Sequence, residues 1–431
     1  MPVRLDANDA NFEAAFAALL AGKREASVDV TDTVTKIIAD IRARGDAALI
    51  EYTKRFDRLD GLTAETLAIP QADIDAATAA CDAKTLDALQ LAAARIRAYH
   101  ARQTPADDRF TDEAGVELGH RWTPVASVGL YVPGGTANYP SSVLMNAIPA
   151  KVAGVARLVM VVPTPGGVVN PLVLAAAKIA GVDEIYRVGG AQAVAALAFG
   201  TATIAPVDKI VGPGNAYVAE AKRQVFGTVG IDMIAGPSEI LVLADGENDP
   251  EWIAADLLSQ AEHDESAQSI LIADDAAFAT RVEEAVARQL QALPRETTAT
   301  KSWADFGAVI VVANLADAVP LVDRLAPEHL EIAVDDPEPL AAAISNAGAI
   351  FLGRFTPEAI GDYVAGSNHV LPTARSARFS SGLNVLDFMK RTSIVRCDAE
   401  ALRAIGPAAL ALAEAEGLDA HARSVSIRLN L

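Results

Sequence analysis

Leu158-Val-Met-Val-Val162 is five consecutive apolar residues, three of them valine. A run of this length and β-branched content reads as a strand buried on both faces. Residues 171–180 after it read as a helix, and Ile185–Val188 as a second short strand. A helix from about Ala191 and a strand at Lys209–Val211 continue the alternation. Short apolar strands separated by helices predict a parallel sheet, because each crossover must return the chain to the same edge. The rhythm resumes after Gly236, with strands predicted at 240–243, 270–272, 309–312 and 349–352, and a strand-like Leu330-Glu-Ile-Ala-Val334. The fold class is therefore α/β, with two α/β blocks in series.

The flanks behave differently. Residues 1–30 read as a short amphipathic helix (Phe12, Phe16, Leu19, Leu20) and a polar link, an arm that must dock elsewhere to bury its apolar face. From Thr31 to about Gln103 the pattern is helical, with Leu86, Leu89, Ala93 and Ile96 on one face. Residues 104–127 are polar and predicted as loop. After about Thr373 the chain becomes Ser/Arg-rich, Ala374-Arg-Ser-Ala-Arg-Phe-Ser-Ser-Gly382, and a last helix is predicted near Leu402–Glu416. This end reads as an arm outside the sheets.

Composition narrows the function. In 431 residues the hydrophobic fraction is 51% and the aromatic fraction 5%, so a large core must be built from aliphatic side chains. The net charge of -20 repels phosphate backbones and argues against a nucleic-acid partner and, more weakly, an anionic membrane. The two cysteines, Cys81 and Cys397, form neither a disulfide framework nor a thiolate metal site. The N-terminus lacks a signal-peptide pattern, and no stretch reaches the ~18 apolar residues a membrane helix needs. A cytoplasmic, soluble protein is expected.

Candidate chemistry gathers in a few places. His100 and His120, in polar surroundings, are expected at the surface. Asp249-Pro250 is a good helix start, and Gln260 and His263 share a face near that helix's end. The cluster suits a metal, but a solvated helix end with a dipole-friendly histidine reads the same way. Asp362 and His369 lie in Gly361-Asp-Tyr-Val-Ala-Gly-Ser-Asn-His369, where glycine turns can aim both inward. A carboxylate and imidazoles from separate segments suit a borderline divalent ion such as zinc, although a plain glycine-rich loop has this composition too. Glu328-His329 places an acid and a base beside a strand, which suits proton transfer or a capped loop. The turns Tyr131-Val-Pro-Gly-Gly-Thr136, Val188-Gly-Gly-Ala-Gln192 and Val211-Gly-Pro-Gly-Asn215 offer backbone N–H groups to a pyrophosphate, but none is a G-x-G-x-x-G fingerprint.

Read together and in order, these segments carry more. Tyr131-Val-Pro-Gly-Gly, Val211-Gly-Pro-Gly-Asn-Ala-Tyr-Val218, Asp232-Met-Ile-Ala-Gly-Pro-Ser-Glu239, Gln260-Ala-Glu-His263, Pro327-Glu-His-Leu-Glu331, Gly361-Asp-Tyr and Ala415-Glu-Gly-Leu-Asp-Ala-His421 closely resemble the histidinol dehydrogenase family from end to end. The resemblance implies an NAD-dependent, four-electron oxidation of L-histidinol to L-histidine through histidinal, the last steps of histidine biosynthesis. It implies one zinc ion per subunit on Gln260, His263, Asp362 and His421. It implies His329 as principal base and Glu328 as activator of water. Tyr131, Gln192 and Asn215 would contact NAD. Ser238, Gln260, His263, His329, Asp362, His369, Glu416 and His421 would hold the substrate. It also implies a homodimer whose C-terminal arm brings Glu416 and His421 to the partner's site. The expected layout is an N-terminal arm (1–30), a main domain with the metal and catalytic residues (31–130 plus 238–373), an incomplete, atypical Rossmann-like NAD-binding domain (131–237) and a C-terminal arm (374–431), with both arms used in dimerisation.

Overall fold

The computed structural model describes residues 2–22, 30–134, 139–234 and 236–431. The polar link at 23–29 and the last two residues of the Tyr131–Thr136 turn lie outside the described residues.

Two parallel sheets carry the molecule. The larger has six strands in the spatial order Val3–Asp6, Ala308–Val311, Gln268–Ala273, Glu239–Ala244, His329–Ala333, Ala349–Leu352. Its central strand Glu239–Ala244 is buried along its whole length, as expected when helices cover both faces of a parallel sheet. One face packs on Leu257, Phe278, Val282 and Trp303. The other packs on Leu321, Val322 and the N-terminal helix Phe12–Ala21, through Phe12 and Phe16. The expected N-terminal arm thus docks on this sheet. It also supplies an edge strand, Val3–Asp6, which its mixed residues Val-Arg-Leu-Asp did not announce.

The second sheet has five parallel strands, in the order Glu184–Tyr186, Arg157–Val161, Ser127–Tyr131, Lys209–Val211, Gly230–Ile231. Leu158–Val161 are fully buried, in keeping with a two-sided strand. The helices between Thr31 and Ala101 pack here: Val34, Ile37 and Ile41 against one face, Leu89, Ala93 and Ile96 against the other. Residues 31–101 therefore share a core with this sheet, and not with the six-stranded one with which the expected layout groups them.

A third, three-stranded antiparallel sheet corrects two expectations. Asp108–Thr111, Glu117–Pro124 and Met389–Arg396 pair side by side. The stretch 104–127 is thus not mainly loop, and the C-terminal arm does enter a sheet. Most side chains of these strands are exposed or half-buried, so polar residues tolerate them and no apolar run marks them. Beyond them, the helices Ala399–Ala415 and Asp419–Leu429 pack on each other, with Gly406 so close to Leu429 that a Cβ would come within 2.7 Å of its methyl. No helix among the described residues is long and apolar enough to cross a membrane.

Candidate active site

A cavity of about 660 Å³ opens where the two parallel sheets meet, at the carboxyl ends of strands of the five-stranded sheet and the amino ends of strands of the six-stranded one. Tyr131, Gly212, Gly214 and Asn215 line it from the five-stranded sheet; Ser238, His263, Glu328, His329, Asp362 and His369 line it from the six-stranded side.

His329 begins the strand His329–Ala333, next to Ile240 on one side and Ala349 on the other. Its ring is 4% exposed. Nδ1 lies 2.9 Å from the main-chain oxygen of Glu239. A carbonyl can only accept, so in the neutral ring the proton sits on Nδ1. Nε2 then holds the lone pair, 3.6 Å from Asp362 Oδ1 and without a hydrogen-bond partner among the described residues. Burial alone would push this imidazole down. The carboxylates of Glu358, Glu328 and Asp362 outweigh it and hold the ring up at about 10; a cation held by Asp362 would offset part of that field, bring the ring down again and free the Nε2 lone pair. Glu328 is 5% exposed, and its Oε2 accepts the main-chain N–H of Glu239 at 2.9 Å.

The helix Pro250–Ala261 starts as its sequence predicts, with Asp249 capping Glu251 N and proline in the first turn. At its other end, Gln260 is fully buried, and its Nε2 lies 3.3 Å from His263 Nδ1. Gln260 Oε1 has no hydrogen-bond partner among the described residues. An orphaned buried amide oxygen is costly unless something electropositive meets it. Burial pushes His263 down, so it stands as a neutral imidazole, the form that binds metal. Burial would raise Asp362, but the neighbouring His329 ring and the fields of His369 and His263 hold it below the usual carboxylate range. An orphaned amide oxygen, a neutral imidazole and an ionised carboxylate are a donor set that fits zinc.

A second grouping shares Asp362: one ligand atom each from His329, Glu358 and Asp362 lies within 4.8 Å of the others. Glu358 is 2% exposed, with Oε1 3.4 Å from His329 Nδ1. The motifs did not single it out. The only signal was an acid one helical turn before Asp362.

His369 bridges the two halves, with Nδ1 3.1 Å from the main-chain oxygen of Asp362 and Nε2 3.3 Å from Ser142 Oγ. Burial pushes it down, so it too is neutral.

On the other wall, two of the three glycine turns open helices. Gly212 has φ of +108°, and a Cβ there would sit 2.2 Å from the Tyr131 carbonyl oxygen, so only glycine fits. Asn215 caps the helix Ala216–Val225 by accepting from Tyr217 N and Val218 N. The turn is clamped by a buried ion pair that sequence reading missed. Asp232 accepts from Gly212 N at 2.8 Å, while Lys222 reaches Asp232 and, at 3.0 Å, the Gly212 carbonyl. In the other turn, Gly190 N donates to the Tyr131 hydroxyl at 3.0 Å. Burial pushes that phenol up to about 12. Gln192, in the first turn of the helix Gly190–Phe199, is 1% exposed, and its Oε1 has no hydrogen-bond partner among the described residues.

Two expected residues stand apart. Glu416 and His421 are exposed on the C-terminal helices and do not line the cavity. His100 is the clear correction. Expected at the surface, it is fully buried, with Nδ1 2.8 Å from the Ile96 carbonyl oxygen and Nε2 3.4 Å from Asn368 Nδ2. It lies one turn beyond Ile96 on the same buried face.

A family model described as histidinol dehydrogenase matches residues 21–429. The chain is 69% identical to a histidinol dehydrogenase of Rhodospirillum rubrum over 431 residues, covering all of this chain and 99% of that protein. It is 68% identical to one from Mesorhizobium japonicum, over the full length of both. The crystal structure of histidinol dehydrogenase from Elizabethkingia anophelis matches with a TM-score of 0.95 at 37% identity, covering all of this chain and 98% of that one. With the fold and the cavity, these matches place the chain in the histidinol dehydrogenase family, the NAD- and zinc-dependent oxidoreductases of histidine biosynthesis.

Proposed function

We propose that this chain oxidises L-histidinol to L-histidine in the cytoplasm, as a homodimer, using two NAD+ per substrate and the residues of this cavity. The observation that carries the assignment of roles is the state of His329. Its Nδ1 is committed to the Glu239 carbonyl, and its Nε2 faces Asp362 with no hydrogen-bond partner among the described residues.

Gln260, His263 and Asp362 would hold zinc, with the partner's His421 as the fourth ligand. Held there, zinc would supply Lewis acidity for binding and orienting the substrate and would offset the negative charge of Asp362. Ser238, His369 and Glu416 complete the substrate's polar contacts. Tyr131, Gln192 and Asn215 contact NAD from the glycine turns, where helix N-termini suit its phosphates. The orphaned Gln192 Oε1 is an acceptor suited to such a contact.

In the first half-reaction, His329 Nε2 takes the alcohol proton as hydride leaves carbon for NAD+, giving histidinal, NADH and a proton. Glu328 then takes a proton from water as the oxygen adds to the aldehyde carbon. His329 returns its proton to the former carbonyl oxygen as the gem-diol forms; as the free base again it takes one hydroxyl proton while the gem-diol gives hydride to a second NAD+, and the carboxylic acid so formed loses its remaining proton to give the carboxylate. A general base placed this way is worth ~10²–10⁴-fold. Holding the reactants in register supplies up to ~7–11 kcal/mol more in ideal cases.

The test is NADH formation from L-histidinol before and after chelation. Two NADH per histidinol, lost on chelation and restored by zinc, is the expected result. One NADH with aldehyde released overturns it, as does turnover by metal-free protein.

A further inference from the structure

Three elements meet beneath the site, and each contributes two residues. The helix Pro250–Ala261 offers Asp256 and, one turn on, Gln260. The strand His329–Ala333 offers His329 and, two residues on and so on the same face, Glu331. The helix Glu358–Tyr363 offers Glu358 and, one turn on, Asp362. Gln260, His329 and Asp362 form the layer assigned to zinc and proton transfer. The layer behind is entirely acidic: Asp256, Glu331 and Glu358. Glu331 and Glu358 are 3% and 2% exposed, and Asp256 is half-buried. Buried carboxyls are costly, and three together more so. Nothing in the roles assigned so far uses them.

Their contacts converge on His329. Glu331 hydrogen-bonds Asp256. One Glu331 oxygen accepts the main-chain N–H of Glu358 at 2.5 Å, fixing the start of the helix that carries Asp362. Ser259 Oγ, next to Gln260 in the chain, faces Glu358 Oε2 at 3.5 Å. The other Glu358 oxygen, Oε1, stands 3.4 Å from His329 Nδ1, the nitrogen that also meets the Glu239 carbonyl.

We propose that Glu358 is a positioning residue for His329 and not a zinc ligand: with the Glu239 carbonyl it holds Nδ1–H and the ring plane, so that Nε2 is aimed at the substrate's hydroxyl. Glu331 and Asp256 behind it hold Glu358 in place. The arrangement follows the general logic of an imidazole whose second nitrogen is oriented by a carboxylate. The adjacency of Glu358 and Asp362 that could suggest a shared metal arises because both sit on one helical turn.

The inference rests on the proposed role of His329, so wild type and His329→Ala are measured alongside. Failure of that reading shows in those two proteins; failure of this one shows in the Glu358 variants alone. Purified Glu358→Gln is expected to keep about one zinc per chain by elemental analysis. Its KM for histidinol should stay within about twofold while kcat falls at least tenfold. Glu358→Asp, still anionic but one methylene shorter, should recover part of kcat. If only Glu358→Asp folds, the same split is read from it. Zinc lost together with kcat would make Glu358 a ligand and overturn the proposal. Unchanged kcat, or equal losses in kcat and affinity, would also overturn it.

Discussion

The Nδ1 atom of His329 stands 2.9 Å from the main-chain oxygen of Glu239, at the point where the strands carrying the two residues lie side by side. The strand pairing itself therefore chooses the tautomer and leaves Nε2 for chemistry. Glu328, one residue earlier, accepts the N–H of that same Glu239. The proposed base and the proposed water activator are thus held by the two main-chain groups of one residue, yet the duties assigned to them differ. His329→Ala should lower kcat for both half-reactions by ~10²–10⁴-fold. Glu328→Gln should spare alcohol oxidation and impair aldehyde oxidation, since only the second consumes water. Supplying histidinal directly separates the two, and equal losses in both halves from Glu328→Gln would refute the division.

Metal dependence follows from the donor set. Gln260 Oε1 is orphaned in a fully buried side chain, and His263 is kept neutral by burial. Removing the ion should abolish turnover, and His263→Ala should lose zinc as well as activity. Changes to groups that merely orient a ligand typically cost ~10–100-fold, so His263→Ala should fall well below that. Elemental analysis beside the NADH assay checks both. Zinc retained at full occupancy in His263→Ala would rule this ligand out.

Much of this site was legible because its residues occur in short local patterns. Gln260 and His263 share a helix end, Glu328-His329 begins a strand, and Asp362 lies in a glycine-rich loop. What escaped depends on contacts between distant segments. Glu331 sits within Leu330-Glu-Ile-Ala-Val334, and a charge inside a buried strand is itself a signal, but its partners Asp256 and Glu358 come from two other elements. Local polarity suggests a surface position for His100, although Leu89, Ala93 and Ile96 mark its face as buried. The antiparallel sheet was missed because its strands are too exposed to need apolar side chains. The Lys222–Asp232 pair is ten residues apart in sequence and gains its meaning only from the Gly212 turn between them in space.

The acidic layer gives a pH signature of its own. Burial pushes Asp256 up to about 6 despite its hydrogen bond with Glu331, and burial with the Asp256 charge pushes Glu331 well above the usual range. An acid raised on folding contributes stability that is complete below its ordinary value and lost as pH rises through the folded value. Asp256→Asn cannot titrate. Wild type should therefore lose stability relative to Asp256→Asn as pH rises from about 4 to 7. Melting temperatures of the two proteins across that range check this. A constant or growing wild-type advantage with pH would contradict it.

The last expectation concerns the C-terminal helices. Glu416 and His421 are exposed and away from the cavity of their own chain, on a helical pair with few buried residues. If they complete the partner's site, each active site draws on two chains. His263→Ala and His421→Ala homodimers should then both be inactive, since each breaks every zinc site. In a mixed dimer, one site would collect both defects: its own chain lacks His263 and the partner's arm lacks His421. The other site would be wild type. Co-refolding the two inactive variants should therefore recover activity, up to one site in each mixed dimer. If His421 served its own chain, every site in the mixed dimer would carry one defect, and mixing would recover nothing. Activity after co-refolding, compared with each variant refolded alone, decides between the two arrangements. Zinc content of the mixed sample should rise in parallel, because the restored site is also the only one with its full ligand set.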